Sequence, residues 1–550
     1  MKQLMHSKKQ FLILFLVFLI YAVVITATQV MQADDFFWYY AFEYEELAGY
    51  RMPNGRYVSN ILTHLIVRYP VARYLVMVGM LMATLFLLGS FSTNQKGDLR
   101  SYWLALFLFV TIPIRATSDV FFYLSAFVIY VLPMICVLMY LHIAFGICKS
   151  QASMKIGWRS ALAFVLGLVG AMCLESMTVY ACFLAVFFLL WSVFACKKRG
   201  VLMHIAYTLG TAIGTVAMFL NPNYHSIAAG ADQQGRRYFE FSFSDIFAKL
   251  YQDVMPKFAK PIPIVHIFLA FGLYALYVKS DRSNWDRSRR CYASLSATMV
   301  VVYAVYSAFT ALTLNFQETT WAMRVYAVQT ALVFMDIVAI LYLVYLFLPR
   351  QTLLHVAVYL ASATLHSLLF CVVGPVSARC FYTNYLFWAL CAIEVLLSTD
   401  VKMSRIPLSV TKIVACVACC AMGYCFAMNK YGSCIQIKHL REQIAKGNVR
   451  AYEIIDLPYA QLDGGSCVEN PYYNSDFSIL LPGVVLDELP TTIAEIDIRT
   501  GSIQEIYFRL WAEYYGYDLD PSTYRTVHFS LLDYNTEARS TVATTVSDAP

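Results

Sequence analysis

Charge is what this chain has least of. Asp, Glu, Lys and Arg together make up 14% of its 550 residues, where a soluble domain carries about 25%. That shortage excludes a protein bathed in water over most of its length. The charges that remain form no dense basic tract, which argues against a nucleic-acid binder. No internal repeat is visible of the kind that marks a transporter built from two similar halves. Cysteine is present in number, at fifteen, but not in ligand company. Cys136, Cys173, Cys182, Cys391 and Cys425 fall inside apolar runs. Cys416, Cys419 and Cys420 are spaced like ligands, yet no His or carboxylate accompanies them, so they read as packing residues.

What fills the sequence is apolar: 59% hydrophobic residues, with aromatics at 16%, as expected when Trp, Tyr and Phe gather at membrane interfaces. Runs of the length that spans a bilayer, about 17–25 residues, recur at 11–31, 74–90, 102–114, 120–147, 158–174, 176–195, 201–220, 262–278, 292–314, 325–348, 352–373, 381–398 and 408–428. The run 102–114 is short enough to be tilted or re-entrant. The run 120–147 contains Pro133, which predicts a kink. Lys2, Lys8 and Lys9 precede the first run, which is too long for a signal peptide and reads as a signal anchor. The predicted fold class is therefore an all-α polytopic membrane protein of about 11–13 transmembrane helices over 1–429. A small α/β extracytoplasmic domain is expected over 430–550, where the spanning runs stop. There a helix-like stretch, Ile437–Lys446, precedes strand-like pieces at 451–457, 492–498 and 503–510.

Charge sets the orientation. With the N-terminus in the cytoplasm and alternating spans, the inner loops collect twenty Lys and Arg against four Asp, the asymmetry that the positive-inside rule demands. An odd number of spans then puts the tail outside. That tail carries nine Lys and Arg against seventeen Asp and Glu, and its Cys434 and Cys467 could form a disulfide in an oxidising compartment.

The outer loops hold the polar residues that chemistry needs. Asp34 and Asp35 follow the first span, and the aromatic run 36–40 follows them. A carboxylate there accepts a proton from a sugar hydroxyl or holds a divalent cation, and the aromatic run lies in the interface or stacks on a sugar ring. The competing reading is a solvated helix end beside an anchor belt. Arg115 and Asp119 bracket another outer turn, Glu175 sits in a very short one, and Asn223 and Tyr224 open the longest loop. Arg324 and Arg379 stand at the outer ends of two later spans, and Arg56 lies in the first loop. Each Arg alone fits a snorkelling anchor. Together, guanidiniums suited to bidentate phosphate contact and several acids share one face.

Short motifs extend this picture: Asp34-Asp35-Phe36, Asn54-Gly55-Arg56, Leu174-Glu175-Ser176, Asn221-Pro222-Asn223-Tyr224, Met323-Arg324-Val325, Ala378-Arg379-Cys380-Phe381 and Lys446-Gly447-Asn448. With them the chain resembles the GT-C class of membrane glycosyltransferases, and within it a bacterial family of polytopic proteins grouped near the lipid-linked-sugar glucosyltransferases. The resemblance implies a polyprenyl-phosphate sugar donor and a glycan or lipid acceptor on the outer face of the bacterial cytoplasmic membrane. Membrane lipids are the other expected partner, and nucleic acid is not one. It makes Asp34 or Asp35 the catalytic base and has Glu175 position the acceptor or a metal. Arg56, Arg115, Arg324 and Arg379 would hold the phosphate, with Asn223 and Tyr224 also contacting substrate. The cofactor stays open between a divalent cation and none. Two departures stand out: Asn-Pro-Asn-Tyr replaces the relatives' Pro-Gly-Asn, and the tail lacks a Trp-Trp-Asp triplet. The rival readings are a flippase of lipid-linked glycans, which would need charge at mid-membrane around Asp336, Glu394, His355 and His366, and a non-enzymatic envelope assembly protein.

Overall fold

In hydrocarbon each backbone N–H and C=O must find a partner within the chain, which leaves apolar runs only helices or a closed barrel. This chain takes helices. The structure, a computed structural model, describes residues 2–31, 34–45, 48, 51–91, 99–149, 157–195, 200–228, 242–258, 262–312, 320–372, 376–400, 407–446, 452–455, 458–459, 513–514 and 524–527. The first half comprises α1 (Lys2–Thr28), α2 (Asp34–Tyr40), α3 (Tyr57–Arg68), α4 (Pro70–Ser90), α5 (Arg100–Val110), α6 (Ile114–Thr117), α7 (Leu124–Lys149), α8 (Trp158–Ala171), α9 (Glu175–Phe194), α10 (Val201–Phe219) and α11 (Pro222–Ala228). The second comprises α12 (Phe243–Lys249), α13 (Met255–Phe258), α14 (Pro263–Lys279), α15 (Arg287–Leu312), α16 (Thr320–Phe347), α17 (Arg350–Leu368), α18 (Tyr382–Asp400) and α19 (Leu408–Lys446). Among the described residues ten helices are long and apolar enough to cross a membrane. Three further apolar runs expected to span form helices of 11, 14 and 17 residues, α5, α8 and α14. At 1.5 Å per residue the shortest of these extends only about 17 Å, roughly half of a hydrocarbon core. The chain is a multi-pass membrane protein whose described apolar spans are all helical.

Two helices form the axis of the bundle. α18 is buried along its whole spanning length and α7 along most of it, so Asn384, Trp388 and Glu394 on α18 meet protein rather than lipid. α7 continues through Pro133 as one 26-residue helix. At the periphery, large apolar side chains point outward, such as Phe183, Phe187 and Leu190 on α9 and Val302, Val305 and Phe309 on α15. Exposure of this kind is what a lipid solvent requires.

Lipid tails offer no hydrophobic gain to helices that pack together, so close contact has to come from small residues. Gly210 and Gly214 on α10 supply it. A Cβ at Gly210 would lie 2.1 Å from the Phe164 carbonyl oxygen of α8, and one at Gly214 would lie 2.7 Å from that of Leu168. α8 and α10 therefore touch backbone to backbone, which fixes the height at which α10 ends.

The tail differs from expectation at its start. The last span and the stretch 437–446 are one 39-residue helix, α19: no Pro separates them, and Gly432 between them is carried within the helix. β1 (Tyr452–Ile455) pairs in parallel with β2 (Tyr524–Val527), Tyr452 opposite Tyr524. One short pair does not amount to an α/β domain, and the strands expected at 492–498 and 503–510 lie outside the described residues. Cys434 carries a free thiol, and Cys467 lies outside the described residues.

The tail begins at the end of the bundle that holds α2. Phe426 of α19 stacks on Phe122, just before α7, with centroids 4.9 Å apart. Asn429 then grips Tyr459 through both of its amide groups, at 3.0 and 2.8 Å. The helical turn at 513–514 returns to α2, where Tyr514 packs against Phe36 and Tyr39 and Glu513 accepts a bond from the Tyr44 hydroxyl.

Candidate functional site

Asp34 and Asp35 open α2, where a carboxylate suits the positive end of the helix dipole. One residue of helix turns the side chain by about 100°, and the two acids part company. Asp35 is fully buried. Its two oxygens accept the backbone N–H groups of Leu124 and Ser125, at 3.1 and 3.0 Å. These are the first amides of α7, which have no partner within their own helix. Asp35 thus caps α7 and is neither the solvated helix end nor an open position for the base, the two readings of the sequence. Asp34 is half-buried.

The aromatic run is likewise inside the protein. Phe36, Phe37, Trp38 and Tyr40 are buried in the core, so they form neither an interfacial anchor belt nor a sugar-stacking platform. α3 holds the segment down. Both ring nitrogens of His64 meet backbone carbonyls, of Trp38 at 3.1 Å and Arg51 at 3.0 Å, while the Arg68 guanidinium donates to the Tyr39 carbonyl.

The motif Asn54-Gly55-Arg56 reaches the end of α10 by a very close approach. A Cβ at Gly55 would stand 2.0 Å from the Met218 carbonyl oxygen, so only glycine fits. The Asn54 side chain accepts from the Arg56 N–H at 3.1 Å, and this turn aims Arg56 at the first residue of α9. Arg56 Nε lies 2.9 Å from both Glu175 oxygens, with its terminal nitrogen 2.7 Å from Oε2. The two side chains are 21% and 24% exposed. Burial alone would favour neutral Arg56, but Glu175 more than reverses this and raises its pKa above the ordinary range. Tyr224 of α11 donates to the same carboxylate. Asn223 donates to the Pro53 carbonyl and so ties α11 to the loop.

These contacts bear on four expectations. Glu175, expected to position the acceptor or a metal, has its oxygens occupied by Arg56 and Tyr224. Arg56 spends its charge on Glu175 instead of presenting it as an open phosphate clamp. Asn223 and Tyr224 hold the loop and the ion pair in place. Burial satisfied inside the protein, which no single-sequence motif displays, accounts for all four.

A second group adjoins the first. Arg379 lies on a turn of 3₁₀ helix, Ala378–Phe381, immediately before α18. It stands within electrostatic reach of Asp34, Asp119 and Tyr130. Tyr130, on α7, also feels Arg56, and its hydroxyl lies 3.9 Å from Cys380 Sγ. Asp34, Asp119 and Tyr130 thus lie within electrostatic reach of Arg379, and Tyr130 also within reach of Arg56, which is paired with Glu175 beside Tyr224. Arg115 belongs to α6 and Arg324 to α16, but their side chains lie outside the described residues. Sequence reasoning noticed Asp119 without assigning it, and passed over Tyr130 because it sits within an unbroken apolar run. Among the described residues no three His, Cys, Asp or Glu side chains group into a metal site.

Compared with protein-family models, curated proteins and solved structures, the chain matches none.

Proposed function

We propose that the protein is a GT-C-like glycosyltransferase, moving a sugar from a polyprenyl-phosphate donor to a glycan or lipid acceptor on the outer face of the bacterial cytoplasmic membrane. The observation that carries this reading is the half-buried Asp34, which with Asp119 lies within electrostatic reach of the Arg379 guanidinium at one end of the helical bundle. Asp34 takes the acceptor proton. Arg379 stabilises the charge that develops on the departing phosphate, as a fixed cation in a partly desolvated site does effectively. The Arg56–Glu175–Tyr224 network sets the wall of the site, and Asp35 holds α7, with Tyr130, in register. Arg324 and Arg115 remain candidate phosphate ligands, and an α/β outer domain over the tail remains part of this reading. The orientation follows from the excess of Lys and Arg in the opposite loops.

The test is sugar transfer by protein in liposomes supplied with extracted polyprenyl-linked donors. Asp34→Asn should lower turnover by about 10²–10⁴-fold, the usual contribution of a general base, without changing the melting temperature. Arg379→Lys keeps the charge but loses the planar fork, so it should weaken donor binding. Wild-type turnover in Asp34→Asn eliminates the proposed base. A transporter is the second reading, supported by two His–carboxylate pairs buried among the spanning helices, His266–Asp336 and His355–Glu394. Movement of the lipid-linked glycan across the vesicle without sugar transfer would favour it.

A further inference from the structure

A carboxylate inside a helical bundle needs donors on its oxygens, and Asp336 does not have them. It lies on α16 and is 1% exposed, as is Gln329 two turns away. Among the described residues neither carboxyl oxygen makes a hydrogen bond, and His266 Nδ1 of α14 stands 3.3 Å from Oδ2. His266 is 2% exposed and its Nε2 is also without a hydrogen bond. The imidazole is enclosed by the rings of Tyr303 on α15 and Trp388 on α18, with centroids 4.6 and 4.9 Å away. The Tyr303 hydroxyl and the Trp388 N–H are themselves unbonded.

We propose that His266 and Asp336 form a proton-binding site inside the bundle, with one proton carried on the Asp336 carboxyl and donated to His266 Nδ1. The alternatives are costly. A bare carboxylate here would lack hydrogen bonds in a medium where an unpaired charge is hardest to keep. A carboxylate–imidazolium pair would remove two ions from water, at several kcal/mol each, with only one contact to offset it. The neutral acid on a neutral imidazole needs one proton and leaves no net charge. Elements packed on α16 include α13, α14, α15 and α17. Among the described residues, the titratable groups acting electrostatically on Asp336 are His266 of α14 and Tyr303 of α15. Release of the proton would add one negative charge between α14 and α16. The site is independent of sugar transfer, and it uses none of the residues assigned to that reaction.

Infrared spectroscopy of the purified full-length protein in lipid tests this directly. Wild type at neutral pH should show the C=O stretch of a protonated carboxylic acid, moved by transfer to D₂O. The stretch should shift when aspartate labelled with ¹³C in its side-chain carboxyl is incorporated, which needs no variant. Asp336→Asn should lack that band, and His266→Leu should move it to higher frequency as the acceptor is lost. A ¹³C-aspartate sample without the band, or an undiminished band in Asp336→Asn, overturns the site. An unmoved band in His266→Leu overturns the pairing with His266.

Discussion

Asp34 and Asp35 are adjacent and chemically identical, and about 100° of helical rotation decides what each can do. Asp35 meets the open amides of α7, so removing its carboxylate strands two buried donors. Asp35→Ala should cost about 2 kcal/mol, the upper range for loss of a helix cap, whereas Asp34→Ala should lower the unfolding midpoint by clearly less. Thermal or denaturant unfolding of the two variants side by side checks this, and equal midpoints would refute the assignment. The ion pair invites a second measurement. Arg56 and Glu175 share a bidentate contact, so a double-mutant cycle with Arg56→Met and Glu175→Gln should show coupling of about 1–2 kcal/mol. A coupling near zero would mean that the pair is a solvated surface contact. Neither partnership was legible in the sequence. The string Asp-Asp-Phe announces carboxylates after a span, but which one is buried depends on α7, roughly ninety residues further on, coming to rest above it. Arg56 and Glu175 were both singled out as ligands because their charges are visible in sequence and their mutual cancellation is not.

At the scale of elements, the long apolar runs were legible because a lipid solvent imposes both length and composition. Ten of the expected spans are helices of crossing length, and the other three form helices of 17, 14 and 11 residues, the first at the lower limit for a crossing. Two things were hidden. The join between the last span and the stretch 437–446 reads as a boundary because hydropathy falls there and Asn429, Gly432 and Ser433 are poor helix formers; all three are buried in α19, so packing overrides propensity. The contact of α8 with α10 depends on which faces meet, and a Gly-x-x-x-Gly spacing does not name its partner. That contact yields a prediction with its own control. Gly210→Ala places a methyl 2.1 Å from a backbone oxygen and should destabilise by about 2 kcal/mol or more, within the range for overpacking. Gly79→Ala in α4, where a Cβ meets nothing within 4 Å, should be neutral or stabilising by up to about 1 kcal/mol. Equal effects of the two changes on unfolding would show that α8 and α10 are not packed this closely.

For the whole molecule, two independent observations bear on sidedness. The loops expected inside hold the excess of Lys and Arg, and Arg282 and Arg289 cover the faces of Tyr277 and Trp285 there, at 4.3 and 4.6 Å. The tail meets α2 at the other end through Tyr514 and Glu513. That contact sets residues 513–514 beside the first loop. Reporter fusions after residues 198 and 470 should therefore report opposite sides, the first cytoplasmic, and a common side would overturn the orientation. Beyond Phe426, level with the start of α7, α19 runs on to Lys446, a further twenty residues (446 minus 426) or about 30 Å. That extension is clad rather than bare: Ile435, Ile437 and Leu440 along it are buried, and it packs against β1. A helix seated on α1 and α5 at one end and gripped along its length at the other is a rigid coupling. A shift of α19 among the spanning helices would therefore carry β1 with it, and a load on β1 would be felt at that seat.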